Sequence, residues 1–320
     1  MTTRRLTVSL ATLLAVGACG SSDATPEVVV ADAAMGAGTP TVLGATADLV
    51  YWTVASGTGP RLVAGSALAA LPADGQQLGS ASGPIAQVGD HVLLATDGAI
   101  VRVGVALPAA KVASANAEAL GESLDSVPVV VWTEGAVVSW GDGTSSATLS
   151  KIVSCDHVRV TATSIYVDAD GTSGRRLLRI DRGTGVVSPL AASATFAPSF
   201  PGGATDGATY RGRLVGADDV GALWLVEEIP AGASATARAL LVLAPEQGAP
   251  SVLLEHVGAV TGFFVDADAL YWQEGDALLT APRAGGAASI VGHVPGTAGA
   301  IADGFVYFTA DNAIERLALD

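Results

Sequence analysis

The chain has 320 residues, half of them hydrophobic, and carries 31 acidic against 16 basic side chains for a net charge of −15. That length suffices for one large domain or two small ones. An acid excess of this size, with Lys111 and Lys151 as the lysines, repels polyanions and argues against nucleic-acid binding; it reads as a solubility feature.

The first eighteen residues have the three zones of a secretory signal. Arg4 and Arg5 supply the positive start, Leu6 to Ala15 a short apolar run, and Gly17 and Ala18 the small residues before a cut. The apolar run is shorter than the roughly 20 residues that span a bilayer, so it predicts a targeting segment. The stretch Leu14-Ala15-Val16-Gly17-Ala18-Cys19 resembles the lipobox of bacterial lipoproteins, with a branched residue at −3, small residues at −2 and −1 and cysteine at +1. The resemblance implies a diacylglyceryl group on Cys19, cleavage after Ala18, and acylation of the new amino terminus. Several chains are needed because each buried methylene contributes only about 0.8 kcal/mol. Loss of Arg4 and Arg5 with the signal takes the net charge from −15 to −17.

Residues 19–26 read as a small, polar tether. Gly20 occupies the +2 place where an aspartate would favour inner-membrane retention, so the resemblance implies the outer membrane, on either face. The remaining residues, 27–320, read as one domain.

A short apolar strand with an adjacent bulky pair recurs seven times there. The pairs are Tyr51-Trp52, Leu93-Leu94, Val131-Trp132, Tyr166-Val167, Leu223-Trp224, Tyr271-Trp272 and Tyr307-Phe308, at intervals of 42, 38, 35, 57, 48 and 36 residues. Acids often precede the strand (Asp48, Asp90, Asp219, Asp268, Asp303). Turn signals such as Asp97-Gly98, Glu134-Gly135, Asp170-Gly171, Glu274-Gly275 and Asp311-Asn312 follow it, and a second apolar run comes next. Repeats of about 40–45 residues with four strands each predict an all-β fold, a β-propeller of four-stranded antiparallel blades. Seven blades fit the pairs best; six or eight also fit the uneven intervals. Neighbouring residues of a strand point to opposite faces, so each pair should serve both adjoining blade interfaces. Ala109 to Leu124 is alanine-rich without a helical period and reads as loop and strand. Residues 196–213, rich in proline and glycine, read as a surface loop insertion. Ala313–Asp320 reads as the third strand of the last unit, and Glu27–Ala31 as the outer strand that closes the ring. The Asp-x-x-x-Tyr-Trp-x-x-x-Gly pattern, sharpest at Asp268 to Gly275, resembles the TolB-like and related short-repeat propellers of exported bacterial proteins.

Chemistry is sparse. Cys155 has no partner cysteine once Cys19 carries lipid, so no disulfide is expected; strand spacing would put it on one face with His157, but a small buried side chain is the simpler reading. The histidines His91, His157, His256 and His293 fall in different units without metal-binding spacing. Asp168-Ala169-Asp170-Gly171-Thr172 resembles the start of a calcium loop, yet Arg179 stands where the bidentate glutamate belongs, and a hairpin turn explains it better. Gly141–Ser146 lacks the lysine and helix of a phosphate loop. Glu227-Glu228 and Asp218-Asp219, if on strands, face opposite ways. No cofactor, metal or catalytic residue is therefore assigned.

The resulting expectation is a lipid-anchored, non-enzymatic binding or scaffold module of the cell envelope, meeting the membrane through Cys19 and a protein or glycan at the propeller face. The alternatives are a polysaccharide lyase or hydrolase at the channel mouth, and a structural envelope component. An axial cluster of two or more acids with histidine or tyrosine, in a cleft with perturbed ionisation, would favour the enzyme; a smooth apolar or glycine-lined channel would favour the binder.

Overall fold

Each repeat folds as an up-and-down sheet because its apolar runs are separated by residues that turn the chain tightly. Gly98, Gly135, Gly275 and Asp311 take the positive φ that the hairpins after the second strands demand. In the computed structural model, residues 25–319 are described except 36–37, 56–58, 126–127, 142, 173, 234–235, 237 and 267. The signal segment and Cys19 lie outside the described residues, and the side chain of His256 is likewise not described.

The described residues form seven four-stranded antiparallel sheets. Blade I spans 39–81, II 85–113, III 119–148, IV 152–192, V 209–257 and VI 260–293. Blade VII takes three strands from 297–318 and its fourth from Glu27–Val30, which pairs with Ala313–Ala318 in the register Glu27↔Arg316. The amino-terminal strand thus closes the ring, and Arg316 adds an ion pair to Glu27 at 2.7 Å.

Every bulky pair lies in the second strand of its blade, and its members do point to opposite interfaces. Tyr51 packs with Leu94 between blades I and II, while Trp52 packs with Tyr307 between VII and I. Leu93 meets Trp132 between II and III, Val131 meets Val167 between III and IV, and Tyr166 meets Trp224 between IV and V. Leu223 meets Trp272 between V and VI, and Phe308 fills the VI–VII seam. Seven apolar clusters thus correspond to seven blade interfaces among the described residues. Tyr271, only half-buried, is the exception. Nearer the axis the packing between blades VII and I is tight. A Cβ on Gly299 would come within 2.5 Å of Val42 in blade I, so the first strands of VII and I approach only because position 299 is glycine.

Two expectations need correction. Asp170-Gly171 is not a turn: both residues belong to the strand Ser164–Gly171, and the chain reverses between Gly171 and Gly174. The 196–213 segment is not a plain surface insertion either. It begins inside the 3-10 helix Ser193–Ser199 and ends inside the first strand of blade V, Thr209–Ala217. Its Phe196 and Phe200 are buried in the IV–V seam, Phe196 meeting Trp224 edge-on at 6.4 Å. The 109–124 segment is strand and loop, as its lack of helical period predicts.

A candidate ligand site in the central channel

The first strands of the blades surround the axis and enclose a cavity of about 810 Å³. Blades II to VI supply most of the wall, through 84–89, 119–122, 156–160, 215–218 and 263–266; Leu43 and Gly299 complete it from I and VII.

Ion pairs and hydrogen bonds stitch neighbouring blades together. Glu122 of blade III, its side chain wholly buried, accepts from Arg102 and from His91 Nε2 at 2.6 Å, both of blade II. The Glu122 carboxylate pulls the His91 pKa upward, against burial, with Asp90 assisting. Arg182 of blade IV reaches Asp125 at 2.8 Å, and Arg283 of blade VI pairs with Asp218 of blade V. Between IV and V, Ser164 Oγ donates to Glu246 at 2.6 Å. These groups hold the ring together; their charges are already engaged.

Blade IV differs. Its first strand, Ile152–Val160, bulges at Asp156, between the registers Cys155↔Ala169 and His157↔Asp168. The extra residue breaks the alternation. Cys155 therefore turns into the III–IV seam while His157 lines the channel, and the shared face expected for this pair does not exist. Burial, reinforced by Glu118 and Asp156, pushes the Cys155 thiol up to about 12, so little thiolate forms near neutrality. In a chain beginning at Gly20, Cys155 should resist a thiol-labelling disulfide reagent at pH 8 and react stoichiometrically in denaturant. Rapid labelling of the folded protein would contradict this placement.

His157 Nδ1 lies 3.2 Å from Oδ2 of Asp168, whose side chain is fully buried. Burial pushes the Asp168 pKa up, opposed by the His157 hydrogen bond and by Arg175, whose Nε sits 4.0 Å from Oδ1. Arg175 itself pairs with Asp156. Among the described residues the imidazole Nε2 has no hydrogen-bond partner, so the ring is oriented from behind and open in front.

Two residues on, beyond the bulge, Arg159 also lines the cavity. Val158 between them packs toward Gly121 of blade III, so His157 and Arg159 share the other face. Arg159 donates to the Val158 carbonyl at 3.0 Å and has no carboxylate partner among the described residues. Its side chain is exposed to the channel water, yet the surrounding wall strips much of its solvation and draws its pKa below the usual range. Arg159 escaped sequence reasoning because Val-Arg-Val gives no sign of which strand is innermost.

The remaining candidates are dispersed. His293 sits on the surface 3.4 Å from Asp276, and His256 falls in the fourth strand of blade V. Asp218-Asp219 lie in a turn rather than a strand. Glu227 and Glu228 do face opposite ways, Glu228 being buried. Gly141 and Gly143, both at positive φ, belong to the hairpin between Val137–Trp140 and Ser145–Thr148. No group of three or more His, Cys, Asp or Glu is poised to hold a metal among the described residues. No helix among them is long and apolar enough to cross a membrane.

No protein-family model and no curated protein matches the chain. Solved structures do. PorZ, a bacterial surface component of the type-IX secretion system of Porphyromonas gingivalis, aligns with TM-score 0.54 and 12% identity over 93% of this chain and 37% of its own. The extracellular domain of BT4673 from B. thetaiotaomicron aligns with TM-score 0.56 and 10% identity over 92% of this chain and 42% of its own. Oligogalacturonate lyase from Vibrio parahaemolyticus aligns with TM-score 0.54 and 8% identity over 88% and 90%. Likeness at such identities is likeness of fold, and it agrees with the sheet order: the chain is a seven-bladed β-propeller.

Proposed function

We propose that the protein is a lipid-anchored binding module of the cell envelope, held to the outer membrane through Cys19, with its ligand site in the central channel. The observation that carries the binding part is the contrast along the channel wall. Glu122, Asp156 and Asp218 are tied to basic partners, whereas Arg159 and the front of His157 are presented to the cavity with their bonding capacity unspent. Holding a channel open with unsatisfied donors is worthwhile when something fills it. The clasp strand begins at Glu27; eight residue steps from Cys19 reach at most about 29 Å, so the rim of blade VII would ride close to the membrane.

Replacing Cys19 by alanine should abolish fatty-acid labelling and release a soluble protein with an unchanged melting temperature. A variant that stays membrane-bound without label would defeat the anchor. For the channel, equilibrium dialysis of small glycans against the purified protein should show ligand retained and recovered intact.

One observation favours a second reading, a polysaccharide lyase or hydrolase. The imidazole of His157, backed by a buried carboxylate and neighboured by a guanidinium, has the makings of a general base beside an anion anchor. Product appearing from an acidic glycan, and lost in His157→Gln, would replace binding by turnover.

A further inference from the structure

We propose that Arg159 and His157 form an oxyanion subsite in the central channel that takes the carboxylate of a small organic ligand, an inference that rests on reading the channel as the ligand site. Two arginines line the cavity, Arg159 and Arg283. Arg283 is engaged by the Asp218 carboxylate. Among the described residues Arg159 makes one hydrogen bond, to the neighbouring carbonyl, with a side chain that carries five N–H donors. A guanidinium that faces the channel water with no carboxylate within ion-pair distance among the described residues is placed to take an anion from that water.

Geometry narrows the anion. A planar guanidinium matches a carboxylate through two parallel hydrogen bonds. His157 lies on the same strand face two residues away, a backbone separation of about 6.6 Å. It can thus bond a hydroxyl or ring oxygen of the same ligand while Arg159 holds the acid. Asp168 fixes the imidazole by accepting at Nδ1, 3.2 Å away. Charge argues against a phosphate dianion: of the wall's two arginines Arg283 is engaged by Asp218, the wall also carries Glu122, Asp156 and Asp266, and the chain is strongly acidic. Val160, Val215 and Phe263 supply apolar wall for the ligand's body. A cavity of about 810 Å³ is within the range that accepts a molecule of one or two sugar rings.

The test is calorimetric titration of the detergent-solubilised full protein with glucuronate, pyruvate and benzoate. Each is run against a neutral isostere (glucose, pyruvamide, benzamide), with inorganic phosphate as a separate arm. At least one carboxylate should bind tenfold or more tightly than its isostere and than phosphate. Arg159→Gln should erase that preference, Arg159→Lys should keep part of it, and His157→Gln should weaken the carboxylate by a smaller factor. Arg159→Gln should melt no lower than the parent, because it loses no protein carboxylate contact. A marked drop in melting temperature would make Arg159 a structural group and overturn the proposal, as would tighter binding of phosphate. If neutral isosteres bind as well as carboxylates in parent and variant alike, the channel remains a ligand site and the anion subsite falls. If no probe binds at all, both fall.

Discussion

Arg238→Met is expected to lower the melting temperature at pH 7 by roughly 6–9 °C, the effect of losing about 3 kcal/mol in a domain of this size. Arg238 holds the 196–213 segment to blade V. Its Nε and Nη2 bond both oxygens of Glu228, and its Nη groups bond the carbonyls of Pro201 and Gly203, the latter at 2.8 Å. The guanidinium also stands 5.1 Å from the centre of the Phe200 ring. Glu228 has a side chain only 2% exposed, and further accepts from Tyr210 and the Thr205 amide. Removing the arginine strands that carboxylate in a dry place, which costs more than the pair itself contributes. Arg238 is 29% exposed, so water relieves part of the loss, and the lower end of the usual 3–5 kcal/mol applies.

The pH dependence of that loss identifies its cause. Arg238 first, and Thr205 second, hold the Glu228 pKa down at about 2. A depressed carboxylate stabilises the fold above its unfolded value of about 4.5, and the contribution drains away as pH falls from there toward 2. Without Arg238 the buried Glu228 should take up its proton at higher pH than in the parent. The gap between parent and variant should therefore be widest near neutrality, narrow as pH falls through the variant's raised Glu228 pKa, and close only as pH nears about 2. A gap of constant size down to pH 3 would assign the cost to the lost carbonyl bonds and the Phe200 contact. Glu228→Gln in the Arg238→Met background should recover part of the stability at pH 7 and none at pH 3.

The wider the burial, the more of this fold the sequence declares. Trp52, Trp224 and Trp272 had to be buried somewhere, and their spacing set the blade count; even the aberrant Leu93-Leu94 pair does the same work as Tyr51-Trp52. What stayed hidden depends on one-residue events. Asp170-Gly171 looks like a turn, but the strand runs on because Gly171 pairs with Gly174. The single extra residue at Asp156 sends Cys155 and His157 to opposite sides, and no periodicity in Lys151–His157 announces it. The channel site was illegible for a further reason. It is assembled from first strands whose proximity to the axis is a property of the closed ring, so His157 and Arg159 acquire meaning only beside 84–89 and 215–218. The polar inter-blade ties share this origin: Asp218 and Arg283 stand 65 residues apart.

The larger effect belongs to the clasp. Deleting residues 26–31 should lower the melting temperature by about 10 °C or more, or prevent refolding. Deleting 20–24, which removes tether alone, should leave the melt unchanged. Val29 and Val30 are almost wholly buried against Trp52, Val50 and Ile314, and each such side chain is worth roughly 1.5–3 kcal/mol. The backbone is anchored as well. The Val29 carbonyl accepts from Ala73 at 2.7 Å, Ala33 donates to Asn312 at 2.8 Å, and Trp52 Nε1 donates to the Ala33 carbonyl at 2.8 Å. The deletion removes the first of these bonds and loosens the others, and it exposes the edge of Ala313–Ala318 to pairing between molecules. A total near 5 kcal/mol corresponds to about 10–15 °C. Val29→Asp, which buries a charge without shortening the chain, should reproduce much of the loss. A synthetic peptide covering 25–35, added in excess to the deletion protein, should raise its melting temperature in proportion to the logarithm of its concentration, because it binds the folded ring and not the unfolded chain. An unchanged melt on deletion would mean that blade VII closes on three strands and the seam with blade I on Trp52 and Tyr307 alone. A lowered melt that the peptide does not restore would instead place the cost in the 32–35 turn that follows the strand.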